Sequence, residues 1–110
     1  MASVRKTKGY KKQISTEAVD LEEQAQTRAL VMIKVASGMG DKVATELVKF
    51  ERVDDVYAIT GDSDLAIKVN FGSPKDLKQF LMKDVSSIDG IENTKTFLIM
   101  DAYKDAGLTI

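Results

Sequence analysis

Two acids two residues apart, Asp62 and Asp64, follow a glycine in the run Gly61-Asp62-Ser63-Asp64, the most distinctive group of chemistry-bearing side chains in the sequence. Paired carboxylates beside free backbone donors at a strand end suit an ammonium-bearing small molecule, because ionised acceptors make the stronger hydrogen bonds. As plain turn chemistry, the glycine supplies a positive φ and the aspartates bond to neighbouring amides. A calcium ion takes about six to eight oxygens, so two carboxylates are too few for one. Thr94, Lys95 and Thr96 form a second polar cluster, whose hydroxyls and strand-edge amides would suit a carboxylate. Threonine is also simply favoured in strands. Gly38-Met39-Gly40 lacks the further glycine and the Lys-Ser/Thr pair of a phosphate loop.

The chain has no histidine and no cysteine. The usual general base and the thiolate nucleophile are missing, as are the commonest metal ligands, and no catalytic constellation stands out. The expectation is a protein that is not an enzyme and needs no cofactor or metal. With 110 residues, 30% of them charged and 44% apolar, the chain has the length and balance of one soluble domain. No apolar run approaches a membrane span, and the first 12 residues lack a signal peptide's apolar core. A cytoplasmic location with no membrane partner is expected.

The net charge of −1 hides an asymmetry. Residues 1–16 carry Arg5, Lys6, Lys8, Lys11 and Lys12 and no acid, and have too few apolar groups to offset their ordering. They read as a basic mobile tail, able at most to touch nucleic acid without sequence preference. From Ser15 or Thr16 a short helix follows to about Arg28, with Glu17, Asp20 and Glu22 near its start. The expected divisions are 1–28 (tail and helix), 29–104 (globular domain) and 105–110 (carboxy-terminal tail).

The elements that must position the two polar clusters alternate in the order β-α-β-β-α-β. A strand over 30–35 ends at the 37–40 turn, where Asp41 is expected to cap a helix whose buried face carries Val43, Ala44, Leu47, Val48 and Phe50. A strand at about 56–60 turns through 61–64 into one over 65–71. Ser73 as cap, Pro74 in the first turn and Asp76 three residues after the cap start a second helix, with Leu77, Phe80, Leu81 and Val85 as its apolar stripe. Asp89-Gly90 breaks the chain before a last strand over 94–100. Each helix is followed by a related run, Val53-Asp54-Asp55-Val56 and Ile88-Asp89-Gly90-Ile91, which suggests two repeated halves.

Such split βαβ units build an α+β ferredoxin-like βαββαβ plait: a four-stranded antiparallel sheet with both helices on one face. Val31, Ile33 and Val35 alternate with Leu30, Met32 and Lys34, and Phe97 and Ile99 with Leu98 and Met100, so both faces read as largely apolar. An open face on the order of 400 Å² is seldom left to solvent in a monomer. The expectation is a homo-oligomer, dimeric through its sheets. Folding of the amino-terminal helix over its own sheet is the alternative.

Residues 29–104 resemble the ligand-binding domain of the Lrp/AsnC family of transcriptional regulators, also called the RAM domain. The likeness is carried by 29–35, by 43–50, by Val53-Asp-Asp-Val-Tyr-Ala-Ile-Thr-Gly-Asp-Ser-Asp-Leu-Ala-Ile-Lys-Val69, by 77–81, and by Ile88-Asp-Gly-Ile-Glu-Asn-Thr-Lys-Thr96. The Thr-Gly-Asp-x-Asp hairpin and the Gly-Ile-x-x-Thr-x-Thr entry to the last strand are specific in combination. The resemblance implies the plait, dimers through the sheets that assemble into rings, and amino-acid effectors near dimer–dimer contacts. It carries ligand-binding roles onto Gly61, Asp62, Asp64 and Leu65 of the hairpin and onto Thr94 and Thr96. Asp62 or Asp64 would take the α-ammonium, and the amides near Gly61 and the two threonine hydroxyls the α-carboxylate.

The family's full-length members place a helix-turn-helix domain before the plait, and 28 residues are too few for one. The expectation is therefore a stand-alone form with no sequence-specific DNA binding of its own. It would sense an amino acid or related small molecule and regulate transcription or amino-acid metabolism through partners, with full-length relatives as candidates. An assembly protein with a degenerate pocket and an ACT-like amino-acid sensor are the alternatives, and a small enzyme on the same plait is the most distant one.

Overall fold

Alternate residues of two apolar runs, Val31 and Ile33 in one and Ile67 and Val69 in the other, have no exposed surface at all. Period-two burial makes these runs strands with one face in a core. The computed structural model describes residues 26–110. The expected basic tail and most of the expected amino-terminal helix lie outside the described residues, but Thr27 and Arg28, expected to end that helix, already belong to the first strand.

The strands of the sheet are β1 (Thr27–Val35), β2 (Val53–Ala58), β3 (Leu65–Phe71) and β4 (Ile91–Leu98). All neighbours are antiparallel and the order is β2-β3-β1-β4, the expected plait. Helix α1 (Gly40–Leu47) follows β1. Helix α2 (Pro74–Gln79) follows β3 and widens into a π-helical turn over Phe80–Val85. Val43 and Leu47 of α1 and Leu77 of α2 join Phe80 and Val85 on the same face of the sheet, against the alternate residues of β1 and β3. There the Phe80 ring stands edge-on to Phe50, with centroids 5.3 Å apart, and tilts against Phe71 at 5.0 Å.

Several boundaries differ from expectation. β2 and β4 each begin three residues and end two residues early, because pairing rather than local propensity sets strand ends: β2 runs from Val53 beside Val69 to Ala58 beside Leu65, and β4 from Ile91 beside Val35 to Leu98 beside Ala29. Asp41 does not cap α1; Met39 is the N-cap, without a side-chain hydrogen bond, and Asp41 lies in the first turn. The expected repeat also separates. Val53–Val56 lies inside β2 and contains a bulge between Val53 and Asp55, whereas residues 88–90 form the turn before β4. The sheet and its helices make one compact unit over 26–99. Residues 100–110 belong to a second unit, in which Lys104–Asp105 and Leu108–Thr109 form a small hairpin.

On the face away from the helices, pairing brings Met32 beside Ala66 and Lys95, and Leu30 beside Lys68 and Phe97. Phe97 and Tyr57 are exposed there. Asp55 and Lys68 pair across it at 3.7 Å. This face is thus a mixture of apolar groups and lysines, more polar than the alternation in the sequence implied.

Candidate functional site

The hairpin between β2 and β3 is closed by its own backbone and then fastened to β1. Gly61 adopts a φ of +117°, a conformation that glycine enters without strain. The Ile59 N–H donates to the Asp64 carbonyl at 3.0 Å, and the Asp64 N–H to the Ile33 carbonyl at 2.8 Å. The Asp64 carboxylate then accepts the Val35 N–H at 2.9 Å through Oδ2. Lys34 Nζ stands 3.9 Å from that oxygen, an exposed pair of small energetic weight.

Asp64 and Leu65 line a cleft of about 350 Å³ between the hairpin end of the sheet and α1. Ala44 from α1 and Val48 at its C-cap, with Val56 and Ala58 from β2, make its apolar wall; Asp41 and Thr45 add polar groups. The Thr45 hydroxyl donates to the Asp41 carbonyl at 2.8 Å. Two carboxylates, a hydroxyl and an apolar wall in one concavity suit a small molecule that carries a cationic group and an apolar part.

The six residues expected to form the site do not all meet. Gly61 and Asp62 are exposed at the hairpin tip, while Leu65 is almost fully buried and offers the cleft little surface. Thr94 pairs with Ile33, which pairs on its other side with Leu65. The fully buried Ile33 therefore separates the threonine from the hairpin by two strand spacings, roughly 10 Å. Thr96 lies two pairs further along β4, level with Val31.

Asp41, Ala44, Thr45 and Val48 were not anticipated as site residues. The apolar run of α1 was read as one buried face, yet Val43 and Leu47 are fully buried while Val48 is 62% exposed. Ala44 and Val48 form a second pair four residues apart, offset by one position from the core pair. That doubled stripe was the available signal. A second cleft, of about 380 Å³, lies at the other end of the sheet by Arg52, Phe71, Gln79 and Lys83, and contains none of the expected site residues.

The class of fold is an α+β ferredoxin-like plait with a small cleft beside one hairpin. The Lrp/AsnC ligand-binding domain family model matches residues 28–109, and the chain belongs to that family. The HTH-type transcriptional regulator FL11 of Pyrococcus furiosus is 36% identical over 77 residues, which cover 70% of this chain and 50% of that protein. YugG of Bacillus subtilis, named as an uncharacterised HTH-type transcriptional regulator, is 29% identical over 99 residues, covering 89% of this chain and 60% of that protein. The chain spans about half the length of the FL11 proteins it matches. These relatives are named for regulation and not for catalysis, in line with the reading that the domain is not an enzyme.

Among solved structures, FFRP-DM1 is similar with a TM-score of 0.65 and 27% identity, covering 67% of this chain and 99% of that chain. Escherichia coli AsnC shares the fold with a TM-score of 0.68 at 20% identity, over 87% of this chain and 62% of its own. So does a transcriptional regulator of Neisseria meningitidis solved with L-Met, with a TM-score of 0.70 at 17% identity, over 94% and 66%. Among the described residues, no helix is long and apolar enough to cross a membrane.

Proposed function

We propose that this domain binds an amino acid or a closely related zwitterion in the hairpin cleft and passes that state to partners that regulate transcription or amino-acid metabolism. The observation that carries the reading is the cleft itself: Asp41 and Asp64 supply negative charge for an ammonium, beside an apolar wall of Ala44, Val48 and Val56 for a side chain. Membership of the ligand-binding family and the L-Met complex of a protein with the same fold support the chemical class. Gly61 and Asp62 sit at the rim. Thr94 and Thr96, separated from the hairpin by β1, stand outside the cleft in this reading.

The domain works in this reading as a cytoplasmic homo-oligomer packed through the face that carries Leu30, Met32 and Phe97, with full-length regulators of the family as further partners. A ligand that binds only the folded state, at 100 times its dissociation constant, adds about 2.7 kcal/mol. For a domain of this size the melting temperature then rises by roughly 10 °C. A melting panel against the twenty amino acids tests the proposal: a rise confined to one chemical class is expected, and a flat panel overturns it.

A further inference from the structure

We propose that Asp64 is a positioning residue whose carboxylate couples occupancy of the hairpin cleft to the junction of β1 and β4. The inference rests on the cleft being the ligand site, and it concerns how binding there is transmitted.

The β1–β3 ladder ends at Ile33 and Leu65, so the Val35 N–H lies beyond the last pair. The Asp64 carboxylate takes the place of a strand partner for it, 29 residues away in sequence. Val35 is also where β1 changes register against β4: Lys34 faces Asn93, but Val35 faces Ile91. A bulge bends and twists the strand that carries it, so its position decides how the following residues are aimed. The next amide, Ala36 N–H, donates to the Gly90 carbonyl at 2.7 Å, directly before β4 begins. One carboxylate thus fixes a corner built from the hairpin, the bulge and the turn into β4.

Asp64 is also one of the residues that line the cleft. An ammonium bound there makes a charge-assisted bond to the carboxylate and turns it toward the cleft, which weakens its hold on the Val35 N–H. Occupancy draws Asp64 away from Val35 and frees the bulge, so the event at the hairpin is felt at Gly90 and Ile91. Lys34, 3.9 Å from the same oxygen, is the resident cation that a ligand ammonium displaces.

Amide exchange and amide proton shifts of the uniformly labelled protein test this, with methylammonium chloride as probe and potassium chloride at equal ionic strength as control. Methylammonium is expected to speed exchange at Val35 and move its amide proton upfield, with accompanying shifts at Gly90 and Ile91; potassium should do neither. Without any probe, Asp64→Ala should speed Val35 exchange roughly tenfold or more while Ile67, in the middle of β3, is unchanged. Asp64→Asn, which keeps an acceptor oxygen but not the charge, should restore slow Val35 exchange and abolish the methylammonium response. Exchange at Val35 that is indifferent to Asp64→Ala, or a methylammonium response that survives in Asp64→Asn, overturns the proposal. A flat amino-acid panel with a responsive Val35 would sink the effector reading alone, and a positive panel with an unresponsive Val35 would sink this one alone.

Discussion

A methyl group added at Gly90 would lie 2.9 Å from Met39 Cε, 3.0 Å from Met39 Cβ and 3.1 Å from Val43 Cγ2, on a residue whose φ is +103°. At Gly61 the φ is similar, +117°, but an added Cβ meets nothing within 4 Å. The two positions separate backbone strain from steric crowding. Gly61→Ala is expected to cost about 1 kcal/mol, from the left-handed conformation alone. Gly90→Ala adds overpacking against α1 and should cost about 2–4 kcal/mol in total. Urea unfolding of both variants checks the order, and equal losses would show that the crowding relaxes freely. Both glycines stood out in the sequence as turn residues. What local spacing did not reveal is the bond from Val35 to Asp64, because it joins residues that only the assembled sheet brings together.

At the scale of elements, the clearest signals were those that act within four residues. The sequence marks Ser73 as a cap, and its Oγ accepts the Asp76 N–H at 3.2 Å, with Pro74 in the first turn. Local sequence marks Asp41 in the same way, but it makes no side-chain cap bond. Ser73→Ala should therefore destabilise the domain by about 1 kcal/mol, and Asp41→Ala by less than half of that. Thermal or urea unfolding decides the matter, and a larger loss at Asp41 would contradict the capping assignment. The edge strands were displaced because the apolar runs continue through Ile59 and through Ile99 and Met100, past the last paired residues of β2 and β4, where Ile59 and Ile99 each give a single backbone bond. The widening of α2 into a π-helical turn left no mark in the periodicity, since Leu77, Phe80, Leu81 and Val85 fit an ordinary helix equally well. The cleft was half legible. Its hairpin side lay in a motif, whereas its α1 side depended on how that helix is rotated over the sheet.

For the whole molecule, the βαββαβ order could be read because each element had its own periodicity and its own breaks, and few arrangements of such units cover both helices. The proposed assembly would use the other face of the sheet. Phe97, 52% exposed, and Tyr57, 57% exposed, lie on it with Leu30 and Met32, among Lys68 and Lys95. Light scattering is expected to give a mass of at least twice the 12.1 kDa chain, reduced toward one chain by Phe97→Glu. A single-chain mass for the unaltered protein would remove this face as an interface. The central claim, that the cleft by α1 receives the effector, is tested most directly by repeating the amino-acid melting panel on two variants. Val48→Glu places a charge on the exposed apolar wall of the cleft, and Thr96→Ala alters the polar cluster on β4. The account predicts that the rise in melting temperature disappears in Val48→Glu and survives in Thr96→Ala; a rise kept in Val48→Glu and lost in Thr96→Ala would contradict it.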